Sequence, residues 1–194
     1  AAAFTARYGA GLPVAGAFTP GSALSNDGDR VVLRDRADAV IAAFSYGDQL
    51  PWPPEADGGG WTLTLIRPEL RPDPSLAASW RPSRLTGGSP GTGDELAAGS
   101  FPSLSDYAFT ALPAVTTAPD GRMLITWSER LGADGVRLWP ESSPDLNTWT
   151  PDPTDGTGLE HLSASSANGA RTITAIVPGG SSTGRFVRFR ITPR

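Results

Sequence analysis

Glycine and proline interrupt this chain so often that long helices are disfavoured almost everywhere. With 23 glycines and 19 prolines among 194 residues, most windows contain a residue that loses too much backbone entropy in a helix or lacks the amide the helix needs. Short strands joined by tight turns satisfy the same punctuation, so the composition favours an all-β architecture. The hydrophobic fraction of 39% supports a modest core, in one large or two small domains.

The charge pattern and the missing residue types narrow the chemistry. There is no cysteine, which excludes disulfides, thiol nucleophiles and thiolate metal sites. All 16 basic residues are arginine and are outnumbered by 20 acidic ones, for a net charge of −4. A nucleic-acid partner is not expected, because its footprint is a basic patch on a basic domain. No run of about 18 apolar residues marks a membrane span. The opening Ala1-Ala2-Ala3-Phe4-Thr5 lacks the form of a signal peptide.

Period-two alternation locates the strands. Residues 30–34 follow the turn-forming Asn26-Asp27-Gly28-Asp29. Val40, Ala42, Phe44 and Tyr46 then share one face of a strand, and Trp61, Leu63 and Leu65 share a face of the next. Prolines at 68, 72, 74, 82 and 90 predict extended backbone from Arg67 to Gly91, with Trp80 as its anchor. Ser103 and Asp106 have the spacing of a capping box. Leu104, Tyr107, Ala108 and Leu112 continue at helical spacing, so one short helix opens the second half. Beyond it, residues 123–141 read as a hairpin around Asp134-Gly135. Ile173, Ala175 and Val177, then Val187, Phe189 and Ile191, offer apolar faces that can close a sandwich. The predicted organisation is a first domain over residues 1–91, a linker over 92–100 and a C-terminal β-module over 101–194.

The order Tyr8-Gly9, Ala23 to Leu33, Tyr46-Gly47-Asp48, Pro51-Trp52-Pro53, Ala56 to Gly60, Ser79-Trp80-Arg81-Pro82-Ser83 and Gly87 to Gly91 resembles the later part of a lamin tail domain. That resemblance implies an immunoglobulin-like sandwich. It also implies an incomplete one, since the Asn-Glu strand and the Glu-Leu-Asn-type motif that open such domains do not precede Tyr8. A fragment of a longer protein is the expectation, against a permuted or degraded domain. In the second half, Asp106-Tyr107-Ala108, residues 121–126, 141–149 and 185–190 resemble a C-terminal β-module of large secreted bacterial proteins. The two resemblances together imply an exported, extracellular or envelope-associated bacterial protein. Chromatin binding by eukaryotic lamin tails is not carried over, given the acidic balance and absent lysines.

The residues advertise no reaction. His161 is the only histidine, and there is no Gly-x-Ser-x-Gly elbow, so a hydrolase triad is not expected and His161 reads as exposed or structural. One histidine also makes a zinc site improbable. Asn26 to Asp29 reads as a β-turn before a calcium loop, and Asp48 and Asp57 as loop punctuation. Gly58-Gly59-Gly60 lacks the lysine and following helix of a phosphate loop. No catalytic, cofactor or metal residue is assigned.

Six tryptophans raise the prospect of sugar stacking. Trp61 and Trp127 are expected in the core, whereas Trp52, between prolines, and Trp149, near a turn, are the exposed candidates. Arg185, Arg188, Arg190 and Arg194 form a basic row on the last strand. The candidate ligand-binding residues are therefore Trp52, Trp149, Arg188 and Arg190. The expected role is a non-catalytic structural or adhesive module that meets a protein or cell-surface polymer. Carbohydrate binding through tryptophan is the alternative, and a third reading makes the chain the accessory tail of a secreted hydrolase.

Overall fold

A computed structural model describes residues 2–14, 16–17, 21–151, 159–177 and 186–194. The protein is all-β, with two short helices, α1 (Ala2–Tyr8) and α2 (Leu104–Ala108). Four sheets carry the described chain.

The first half contains two small ribbons. β1 (Asp29–Arg34) and β2 (Val40–Tyr46) pair antiparallel, and β3 (Leu63–Leu65) pairs with β4 (Trp80–Pro82). Before β1, Gly28 has φ +97°, and a Cβ there would lie 2.7 Å from the Tyr46 carbonyl oxygen, so the chain needs glycine to enter the ribbon. Of the residues expected on the third strand, Trp61 stands just outside β3 and is half-buried. Trp80 is an anchor: its ring lies 5.4 Å from Phe44 and 6.4 Å from Trp52, and its Nε1 donates to the Pro74 carbonyl.

The second half is built from two larger sheets. One has the order β5 (Phe109–Thr117), β6 (Met123–Arg130), β10 (Ala170–Ile176), β9 (Glu160–Ala167). The other has the order β11 (Phe186–Pro193), β7 (Val136–Ser143), β8 (Thr150–Pro151). Their inner faces meet through Phe189, whose ring is 5.5 Å from Phe109 and 5.2 Å from Trp127. Tyr107, Ile125, Trp127, Val136, Ile173, Ala175 and Val177 complete a buried core, flanked by Leu138, Val187 and Ile191. On the opposite face of β6 and β10 the hydroxyls of Thr126 and Thr174, and of Ser128 and Thr172, pair across the strands.

Ser103 caps α2, accepting from the Asp106 amide, as its spacing predicts. The helix stops at Ala108, however, and Leu112 belongs to β5, where it is exposed. A helix continued to Leu112 would have run straight into Pro113, which cannot donate to it. β5 itself carries Pro113 and two register breaks against β6. The expected hairpin over 123–141 is also different. β6 and β7 lie in opposite sheets, because residues 131–135 cross the core edge instead of folding the chain back beside itself. Gly132 at φ +86° and the Tyr107 hydroxyl, which accepts from the Gly135 amide at 3.0 Å, hold that crossing.

Two buried polar clasps tie the halves together. Arg81 donates through all of its guanidinium N–H groups: a bidentate pair to Asp134 at 2.6 and 2.8 Å, one bond to the Asp94 carboxylate at 2.6 Å, and bonds to the Pro82 and Asp94 carbonyls. Burial works against the charged guanidinium, but the Asp134 and Asp94 carboxylates outweigh it and push its pKa up. Asp94 also accepts from the Arg84 amide and the Ser89 hydroxyl, and the Leu96 amide donates to Gly132, so residues 92–100 are pinned to both halves. In the second clasp, buried Glu55 accepts from Arg171 at 2.8 Å and from Ser166 at 3.0 Å.

Candidate functional site

Three of the four candidate residues converge on the outer face of the β11–β7–β8 sheet. Strand alternation explains why: Val136, Leu138 and Pro140 turn one way along β7, leaving Arg137, Trp139 and Glu141 on the other side, and on β11 Val187, Phe189 and Ile191 turn inward while Arg188 and Arg190 turn outward. Register then sets the neighbours, with Arg188 opposite Glu141, Arg190 opposite Trp139 and Thr192 opposite Arg137.

The result is a ladder of alternating aromatic and cationic planes. The Arg188 guanidinium lies 4.0 Å from the centre of the Trp149 ring, and that of Arg137 lies 3.8 Å from Trp139, with Arg190 on the same indole at 5.6 Å. Glu141 sits in the middle. Its carboxylate accepts from Arg188 Nε at 2.6 Å and from Arg190 Nε at 3.1 Å, while Arg190 Nη2 lies 2.9 Å away. Burial alone would raise the Glu141 carboxyl. The hydrogen bonds from Arg188 and Arg190, with their charges, outweigh it and hold the group below its ordinary value.

Local structure fixes both tryptophans. Trp139 Nε1 donates to Thr192 Oγ1 at 3.2 Å across the strands. Trp149 Nε1 donates to the Leu146 carbonyl, closing a turn in which the Asp145 carboxylate accepts from the Asn147 and Thr148 amides. Those amide bonds depress the Asp145 pKa and hold the turn in its anionic form.

Trp52 does not join this face. It is half-buried in the first half, its ring so close to Gly47 that a Cβ there would lie 3.0 Å away, and it packs beside Trp80. Nearby, a cavity of about 400 Å³ lies between the β1–β2 ribbon and the β3–β4 ribbon, lined by Val31, Phe44, Tyr46, Trp61 and Trp80. His161 packs edge-on against Trp127, with 5.8 Å between ring centres. Arg185 lies outside the described residues, and Arg194 donates to the Val136 carbonyl at the end of the sheet.

Arg137, Trp139 and Glu141 escaped the sequence reading. Their signal was the same period-two spacing that exposed Arg188 and Arg190, but recognising it required knowing that β7 and β11 are neighbours. Among the described residues no helix is long and apolar enough to cross a membrane, which says nothing about a β-barrel. No family model, curated protein or solved structure matches this chain.

Proposed function

We propose that the protein is a non-catalytic adhesive or structural β-module of an exported bacterial multidomain protein, meeting a cell-surface polymer through the face that carries Trp149, Arg188 and Arg190. The tryptophan–arginine ladder is the observation that carries this reading. The two arginines hold the Glu141 carboxyl below its ordinary pKa, so this acid keeps its charge near neutrality. A general acid or base must titrate near the working pH, whereas a recognition surface gains from fixed charge on fixed planes. The lamin-tail resemblance of the first half and the secreted-module resemblance of the second support the same assignment, with an extracellular or envelope location.

Beads coated with the chain are expected to stay on envelope fragments of the organism that makes it. Beads carrying Arg188→Ala/Arg190→Ala should wash off. Equal retention of both would rule out this face as the adhesive one.

A further inference from the structure

We infer that the ladder recognises an anionic polysaccharide, whose sulfate or carboxylate groups are met by the row Arg188, Arg190 and Arg137. This inference rests on the reading of the same face as a surface-polymer site and adds the ligand's chemistry. Arg188 and Arg190 share the Glu141 carboxylate and Arg137 stacks on Trp139 beside them, leaving local positive charge on a chain whose net charge is −4. A chain that is acidic elsewhere concentrates its attraction for anions on such a patch.

The donors are present and free to act. Arg188 gives only its Nε to Glu141, so its two terminal nitrogens have no hydrogen-bond partner among the described residues, and its side chain is 46% exposed. Arg190 is 50% exposed and, among the described residues, keeps Nη1 unused, while the Arg137 side chain makes no hydrogen bond to any of them. A guanidinium with open N–H groups matches a sulfate or carboxylate in two-point geometry. Stacking on Trp149 and Trp139 has already fixed the arginine planes, so less side-chain entropy is lost on binding.

The spacing favours an extended chain. Arg188 and Arg190 are two residues apart on one strand, roughly 7 Å, and Arg137 stands opposite Thr192, roughly 7 Å further along. The charges thus run as a row along the sheet. Indole surface beside each cation suits a sugar ring, which offers apolar C–H groups next to its acid. A nucleic-acid duplex calls for a broader basic footprint than this row on a chain of net charge −4 offers.

The test uses the intact chain on immobilised heparin, polygalacturonate and dextran, which present sulfates, carboxylates and no charge respectively. Binding is expected to heparin or polygalacturonate and not to dextran, weakening roughly a hundredfold as NaCl rises from about 0.05 to about 0.5 M. Arg137→Gln, which breaks no ion pair, should weaken it about tenfold, and Arg188→Gln/Arg190→Gln more. Arg34→Gln/Arg36→Gln removes as much charge elsewhere and should change nothing, with circular dichroism confirming the fold of each variant. Equal loss in that control, or tighter binding to poly(dT) than to heparin, would overturn the inference. Dextran binding as strong as heparin binding overturns the anionic ligand while leaving the surface-polymer reading intact. So does failure on all three polymers by a chain still held on envelope fragments. Loss of envelope retention in the wild type sinks both.

Discussion

β1 and β2 pair along six register positions, and β6 and β10 along seven, yet the two ladders end in opposite states of burial. Ile41 on β2 is 62% exposed, whereas Ile173 on β10 is 4% exposed. Apart from prolines, every fully buried aliphatic or aromatic side chain among the described residues lies at or beyond Tyr107. What the first half buries is Pro53, Glu55, Ser79, Arg81, Pro82, Ser83 and Gly87, a set rich in polar groups that need partners. Hydrogen-bonded pairing therefore does not make a core. A second apolar layer at sheet-packing distance does, and only the second half has one. The first half is held instead by the Arg81 and Glu55 clasps, with the cavity beside Phe44 and Trp80 left between its ribbons.

The largest expected effect tests this contrast directly. Trp127→Ala should cost about 3–5 kcal/mol in urea unfolding, because the site is enclosed by Phe189 and His161 and cannot collapse fully. Ile41→Ala should cost under about 0.5 kcal/mol. Equal costs would break the comparison. Next comes Arg81→Ala, which leaves the Asp94 and Asp134 carboxylates buried without their cation and should cost about 3 kcal/mol. Arg81→Lys should restore little of it, since an ammonium cannot reproduce the fork. Hydrogen exchange sharpens the contrast further: amides of β1 and β2 are expected to open at clearly lower free energy than those of β6 and β10. Protection that is uniform across both pairs would contradict it.

The smallest effect is on pH dependence. Because Glu141 has a depressed pKa in the fold, its contribution to stability is fully present above its ordinary value of 4.5 and is lost as pH falls through the folded value below that. Thermal midpoints of Glu141→Gln should fall less steeply than wild type in that acid window. Identical acid slopes would remove the carboxylate from the account.

Much of the β-architecture was legible because it depends on local rules. The alternation over Val40–Tyr46, the Ser103 cap and the inward facing of Trp127 follow from residues near one another in sequence, and Trp80 stood out as an anchor because it is the one large ring in a proline-rich stretch. What stayed hidden depends on distant partners. β5 and β9 are rich in alanine, serine and threonine and carry little apolar alternation of their own, so only pairing with β6 and β10 defines them. The separation of β6 from β7 was equally invisible, since a five-residue connection suits a hairpin as well as a crossing between sheets. Of the site, Trp149, Arg188 and Arg190 could be read from composition and spacing. Arg137, Trp139 and Glu141 became visible only through the register of β7 against β11.

The proline and the two register breaks in β5 have a colloidal consequence. They make that border of the four-stranded sheet a poor template, because an incoming strand would find no regular row of amides to join. β2 has no such protection: Val40-Ile41-Ala42-Ala43-Phe44-Ser45-Tyr46 is uncharged and proline-free, and it pairs with β1 alone among the described strands. In concentrated solution, self-association should therefore begin at the β1–β2 ribbon rather than at the β5 border, so a lysine placed at Ala42 is the change that would keep the molecule dispersed.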